Sequence, residues 1–128
     1  MVAYSFMARF EPRIEDGSKD QTIRADRKRH ARAGEELQLY RGMRTRQCRL
    51  IGRASCVAVL PIRIKLEDEE ITIAGHVLHT PPMLDAFARR DGFEDWEDMR
   101  RFWRETHPDT PVFSGQCIRW NNFRGPGA

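Results

Sequence analysis

Long apolar runs are missing from this 128-residue chain. No stretch approaches the roughly 20 apolar residues of a membrane-spanning helix, so membrane-embedded classes are set aside. Residues 1–10 alternate apolar and polar types and lack the continuous apolar region of a secretory signal, which makes the cytoplasm the expected compartment. Cysteine is scarce. Cys48, Cys56 and Cys117 are odd in number and without metal-type spacing; each lies in a strand-like run and reads as a buried free thiol. No Gly-rich strand-to-helix turn marks a phosphate loop, since Gly125-Pro126-Gly127 lies near the end of the chain. His76 and His79 are three apart on a non-helical segment, and no acid signature joins them to His30 or His107. Neither a metal nor another cofactor is expected.

What is present fits one folded domain, read as residues 1–120 with a tail at 121–128. Apolar residues make up 40% and charged residues 32%, which excludes a disordered chain, and the length suffices for a buried core. The net charge of +3 hides an asymmetry. Residues 1–66 hold 15 Lys/Arg against 7 Asp/Glu, and residues 67–128 hold 7 against 12. Arg24, Arg27, Lys28, Arg29 and Arg32 form one basic group; Arg41, Arg44, Arg46, Arg49 and Arg53 form a second. Arginine suits phosphate because its planar fork donates two parallel hydrogen bonds. The pattern favours an anionic partner, most naturally a nucleic acid. The alternative is a solvated face whose charges pair with the acidic half.

The apolar pattern predicts strands at 2–10, 21–24, 37–40, 47–60 and 70–74, with a helical turn at 11–15. Pro61 predicts an edge or a break before a possible continuation at 61–66. The spacing of Met83, Leu84, Phe87 and Ala88 predicts a helix after Pro81-Pro82, ended near Gly92. A second helix follows Asp95 as its cap, burying Trp96, Met99, Phe102 and Trp103 as core rather than as a platform for bases. A last strand is predicted at 112–120. Trp120, Asn122, Phe123 and Arg124 could stack on a single strand or form a loose end anchored by the tryptophan. Strands early, a helix pair late and a closing strand with a distant partner read as an α+β fold: a small mixed barrel with helices packed at one end.

Gly17-Ser18-Lys19-Asp20-Gln21-Thr22-Ile23-Arg24 is the most informative segment. It sets a lysine, a hydroxyl and an arginine within six residues, entered through a glycine turn. In a strand Thr22 and Arg24 share a face, and Lys19 joins them only if residues 18–20 bend. An ammonium near a hydroxyl binds an anion, or it acts as the base that activates a nucleophile. The plain alternative pairs Lys19 with Asp91 or Asp16 and leaves Thr22 to satisfy a backbone group.

Gly17, Lys19, Thr22 and Arg24 match GxKxxTxR, and in this the chain resembles the ASCH domain family of the PUA-like superfamily. Residues 84–93, with an acidic-Gly-Phe step before a helix, and residues 116–120 extend the resemblance over residues 4–120. It implies an ASCH β-barrel with a cleft beside the motif, and a partner that is RNA, a nucleotide or a nucleoside. One branch of ASCH-like proteins hydrolyses the acetyl amide of N(4)-acetylcytidine. Its lysine and threonine fall on Lys19 and Thr22, and its glutamate falls on Asp91, one methylene shorter. The function expected is RNA or nucleotide binding in a basic cleft of Gly17, Lys19, Thr22, Arg24, Arg27, Lys28 and Arg29, rimmed by residues 25–33. The alternatives are an amidohydrolase with Thr22 as nucleophile, Lys19 as base and Asp91 as third member, and a ribonuclease.

Overall fold

Strand gives way to helix earlier than the alternation at residues 2–10 predicts. In the computed structural model, which describes residues 1–127, β1 (Val2–Phe6) buries Val2, Tyr4 and Phe6 on one face. The chain then passes through a 3-10 turn (Ala8–Phe10) into α1 (Glu11–Glu15). Pro12 stands in the first turn of α1, where its missing N–H costs nothing. β2 (Gln21–Ala25), β3 (Glu36–Arg41), β4 (Arg49–Lys65), β5 (Glu70–Ile73) and β6 (His76–Leu78) follow. Then come α2 (Pro81–Arg90), α3 (Trp96–Thr106) and β7 (Val112–Arg124).

β1 pairs in parallel with β3, and the other pairings are antiparallel. The 17-residue β4 is the spine: β3 and then β5 lie along one side of it, and β7 lies along the other. β2 pairs with the far side of β7. The sheet does not close. β1, β2 and β6 are its free edges, and among the described residues no ladder joins β1 to β2. The expected barrel is therefore an open α+β sheet. Side chains occupy the gap instead, and Arg24 crosses it, its Nη2 donating to the Ser5 carbonyl at 2.6 Å.

Two more expectations change. β4 runs through Pro61 without a break. The Pro61 carbonyl accepts from Ala74 N, so its missing N–H faces the β5 side, where the ladder begins only at Ile62. The last strand does not stop at Trp120. Arg124 pairs with Arg53, and its guanidinium meets Glu36 at 3.2 Å, so residues 121–124 belong to the sheet. Cys56 and Cys117 are buried, and burial pushes the Cys117 thiol up to about 12. Cys48 is exposed, because it falls in the β3–β4 loop rather than in a strand.

α3 begins as the sequence indicates, and α2 begins two residues earlier than expected, with Pro81 and Pro82 in its first turn. Thr80 caps α2, and Asp95 caps α3 by accepting from Asp98 N at 2.9 Å. Trp96, Met99 and Trp103 are buried. Arg9 reaches Asp98 at 2.7 Å and Arg13 reaches Glu94 at 2.5 Å, so part of the basic excess is spent holding α3 and the α2–α3 link.

Candidate functional site

Three local features turn Lys19 inward. Gly17 takes a left-handed φ of +84° after α1, in a turn where Asp16 Oδ1 accepts from Ser18 N. Lys19 N donates to the Arg13 carbonyl at 2.9 Å, folding the motif back on α1. Asp20 is clamped next: its N–H donates to Arg90 O, its carbonyl accepts from Trp120 N, and its carboxylate meets Arg90 Nε at 2.7 Å. This bend gives Lys19 the face it lacks by parity. Thr22 and Arg24 share a face as β2 requires, and Arg24 Nε donates to Thr22 Oγ1 at 2.9 Å.

Asp91 arrives from the helical side. Gly92, at φ +98°, ends α2 with Phe93 N donating to Ala88 O and Gly92 N to Arg89 O, the paired bonds of a Schellman motif. This end aims the Asp91 carbonyl at Lys19 Nζ, 2.6 Å away, and leaves the carboxylate Oδ1 at 3.9 Å from the same ammonium. Gln21, fully buried, donates to Asp91 Oδ1 at 3.1 Å and accepts from Arg119 Nε at 3.1 Å. Lys19 is 3% exposed and Asp91 is 5% exposed. Burial pushes the Lys19 ammonium below its ordinary range; Asp91 pulls it back and Arg24 adds to the fall. Burial likewise pushes the Asp91 carboxyl up, against the pull of Lys19. The Lys19 ammonium also lies 4.9 Å from the Phe10 ring centre.

A cavity of about 310 Å³ opens at the gap between β1 and β2. Lys19, Thr22, Arg24 and Asp91 all line it, beside Ser5 and Phe6 of β1. Much of the remaining lining is aromatic. Trp103 stacks on His107 with ring centres 4.4 Å apart and an angle of 20°, and Phe113 lies 4.7 Å from Trp103. Phe10, Phe93 and Phe102 form a second group, with centres 5.2–5.6 Å apart.

The other expected site residues are not brought in. Gly17 turns the chain but does not line the cavity, and of residues 25–33 only Ala25 does. Tyr4 holds that segment elsewhere, because its hydroxyl meets His30 Nδ1 and accepts from Ala31 N. Arg27 lies over the Tyr4 ring at 4.7 Å, Lys28 is exposed, and Arg29 pairs with Glu35 at 2.6 Å. The end of α3 and the start of β7 supply the rim in their place. Trp103 is core, as expected, and wall as well. His107, Phe113 and Gln21 were not singled out for this site by the sequence reading. Four rings between residues 102 and 113 were the available signal. His76 is exposed, and among the described residues no three metal-ligating side chains gather.

The cavity lining thus combines a guanidinium, a hydroxyl and a buried ammonium–carboxylate pair with flat rings. Such a site suits a planar molecule with polar edges. No family model matches the chain, and no curated protein does. Among solved structures it is similar to the crystal structure of a serine-to-alanine mutant of ZmASCH from Zymomonas mobilis. The TM-score is 0.55 and the identity 15%, over 96% of this chain and 68% of that one. At that identity the likeness is one of fold, and the chain is ASCH-like in fold over nearly its whole length.

Proposed function

We propose that this protein binds RNA by taking one nucleoside unit into the cavity between β1 and β2. The observation that carries the reading is a single cavity lined by both hydrogen-bonding groups and rings. Arg24 and Thr22 supply the hydrogen-bonding groups, and Trp103, His107 and Phe113 are among the rings. A volume of about 310 Å³ lies at the small end of the roughly 300–1,000 Å³ usual for small-molecule sites, which fits one nucleoside. Arg27 and Lys28, exposed beside β1, would meet phosphates; Arg29 is occupied by Glu35. The test is titration of a short single-stranded RNA at low salt. Phe113→Ala should weaken binding about tenfold, within the roughly 1–3 kcal/mol that stacking contributes per base. No binding by the wild-type protein, or an unchanged affinity in Phe113→Ala, would remove this reading.

A second reading, hydrolysis of an acyl amide such as that of an acetylated cytidine, has its own support. Burial lowers the affinity of Lys19 for its proton, the direction a general base needs. Arg24 Nε occupies one lone pair of Thr22 Oγ1 and leaves the hydroxyl proton free to depart. Thr22→Val keeps the shape and removes the nucleophile. On this reading turnover falls by about 10³-fold or more, while RNA affinity falls only severalfold. Absence of wild-type turnover on acetylated cytidine at high enzyme concentration excludes it.

A further inference from the structure

Resting on the binding reading above, we infer that the RNA strand passes along the β1 edge and that the β3–β4 loop, residues 42–48, holds the phosphates on one side of the cavity. Two hydrogen bonds donated by backbone N–H groups tie this loop to the cavity wall. Gly42 N donates to Phe6 O at 3.1 Å, and Met43 N donates to Ser5 Oγ at 3.0 Å. Ser5 and Phe6 both line the cavity, so the loop stands at its lip.

The loop carries Arg44 and Arg46, both exposed, and among the described residues neither pairs with a carboxylate. Their neighbours are different. Arg41 and Arg49, at the feet of the loop, both meet the buried carboxylate of Glu11, an arrangement that anchors the loop rather than offering charge. The sequence groups these four arginines with Arg53 in one cluster, and the fold divides the four into two that anchor and two that, among the described residues, meet no carboxylate. At the Tyr4 end of β1 a similar division recurs. Arg29 is taken by Glu35, while among the described residues Arg27 and Lys28 meet no carboxylate, and Arg27 is positioned by the Arg29 carbonyl and the Tyr4 ring. Two pairs of exposed cations without a carboxylate among the described residues therefore stand toward the two ends of β1. A polyanion laid across that edge, with one base turned into the cavity, neutralises both pairs. A free nucleoside touches neither.

The experiment measures binding of a single-stranded RNA of about eight nucleotides over a range of salt, and binding of the four free nucleosides by calorimetry. Both are compared for wild type, Arg44→Ala/Arg46→Ala and Arg27→Ala/Lys28→Ala. Each double variant should flatten the slope of log affinity against log salt by about 1.4, from roughly 0.7 per phosphate contact. Nucleoside affinity should stay at the wild-type value. An unchanged slope in Arg44→Ala/Arg46→Ala overturns the inference, even if nucleoside binding persists and the cavity reading stands. Loss of nucleoside binding in that variant also overturns it, because the arginines would then act through the fold. If wild type binds neither RNA nor nucleoside, the cavity reading falls with it.

Discussion

Lys19 and Asp91 form a buried ammonium–carboxylate pair, and such pairs are costly to break and cheap to replace. Lys19→Met leaves the Asp91 charge with Arg24 as its nearest cation, and should destabilise by about 3–5 kcal/mol at neutral pH. Lys19→Met/Asp91→Asn should recover most of that loss, and denaturant unfolding of the two variants decides it. The pH dependence has a definite sign. Asp91 titrates above its unfolded value, so the folded state binds its proton more tightly than the unfolded state does. Stability from that proton is present below about pH 4 and is lost as pH rises through the raised value. The melting temperature of Lys19→Met should therefore approach that of wild type near pH 4 and fall progressively behind it toward pH 8. An equal gap at both ends would show Asp91 uncharged throughout. Thr22 and Arg24 were legible in the sequence because strand parity fixes a shared face, and Lys19 was legible only on the condition that residues 18–20 bend. Gln21 was not: parity sends it to the other face of β2, and only the approach of Asp91 and Arg119 gives it partners.

At the scale of elements, the end of α2 sets the site. A Cβ on Gly92 would stand 2.8 Å from Lys19 Cδ and 3.0 Å from Phe10 Cδ1, on a backbone already left-handed. Gly92→Ala should cost about 2 kcal/mol or more, from strain and overpacking together. It should also move Lys19, so on the proposed binding reading RNA affinity falls in protein that is still folded. A variant as stable as wild type would mean that α2 can end without this turn. The start of α3 and the end of α2 were readable because Asp95 and Gly92 act locally on the backbone. The continuity of β4 through Pro61 was not, because it depends on which neighbour the missing N–H faces. β6 was missed for a similar reason: three residues carry too little periodicity, and it is the pairing with β5 that makes them a strand. The rim was misassigned to residues 25–33 because the Tyr4 hydroxyl, 26 residues from His30, decides where that segment lies.

At the scale of the molecule, the charge asymmetry proves to be two things. Arg9 and Arg13 use part of the excess internally, against Asp98 and Glu94. Arg27, Lys28, Arg44 and Arg46 remain at the surface. Composition alone does not separate these uses, since each arginine looks alike until its partner is placed. The open sheet has a dynamic counterpart. Arg24→Met removes the Arg24–Ser5 bond that crosses the gap. Amide hydrogen exchange should then quicken in β1 and β2 and stay slow in β4 and β7. Uniform quickening would show that the sheet opens as one unit.

The order of the strands also governs when this site comes into being. β1 has no partner until β3 is made, and β2 has none until β7, so Gln21 waits for Arg119, 98 residues later. Pairings this distant close large loops and form slowly. The cavity lies between the first two strands of the chain, yet it is among the last parts to exist. A nascent chain that has not yet reached β7 already carries Gly17, Lys19, Thr22 and Arg24 in full, and has nowhere to hold a ligand.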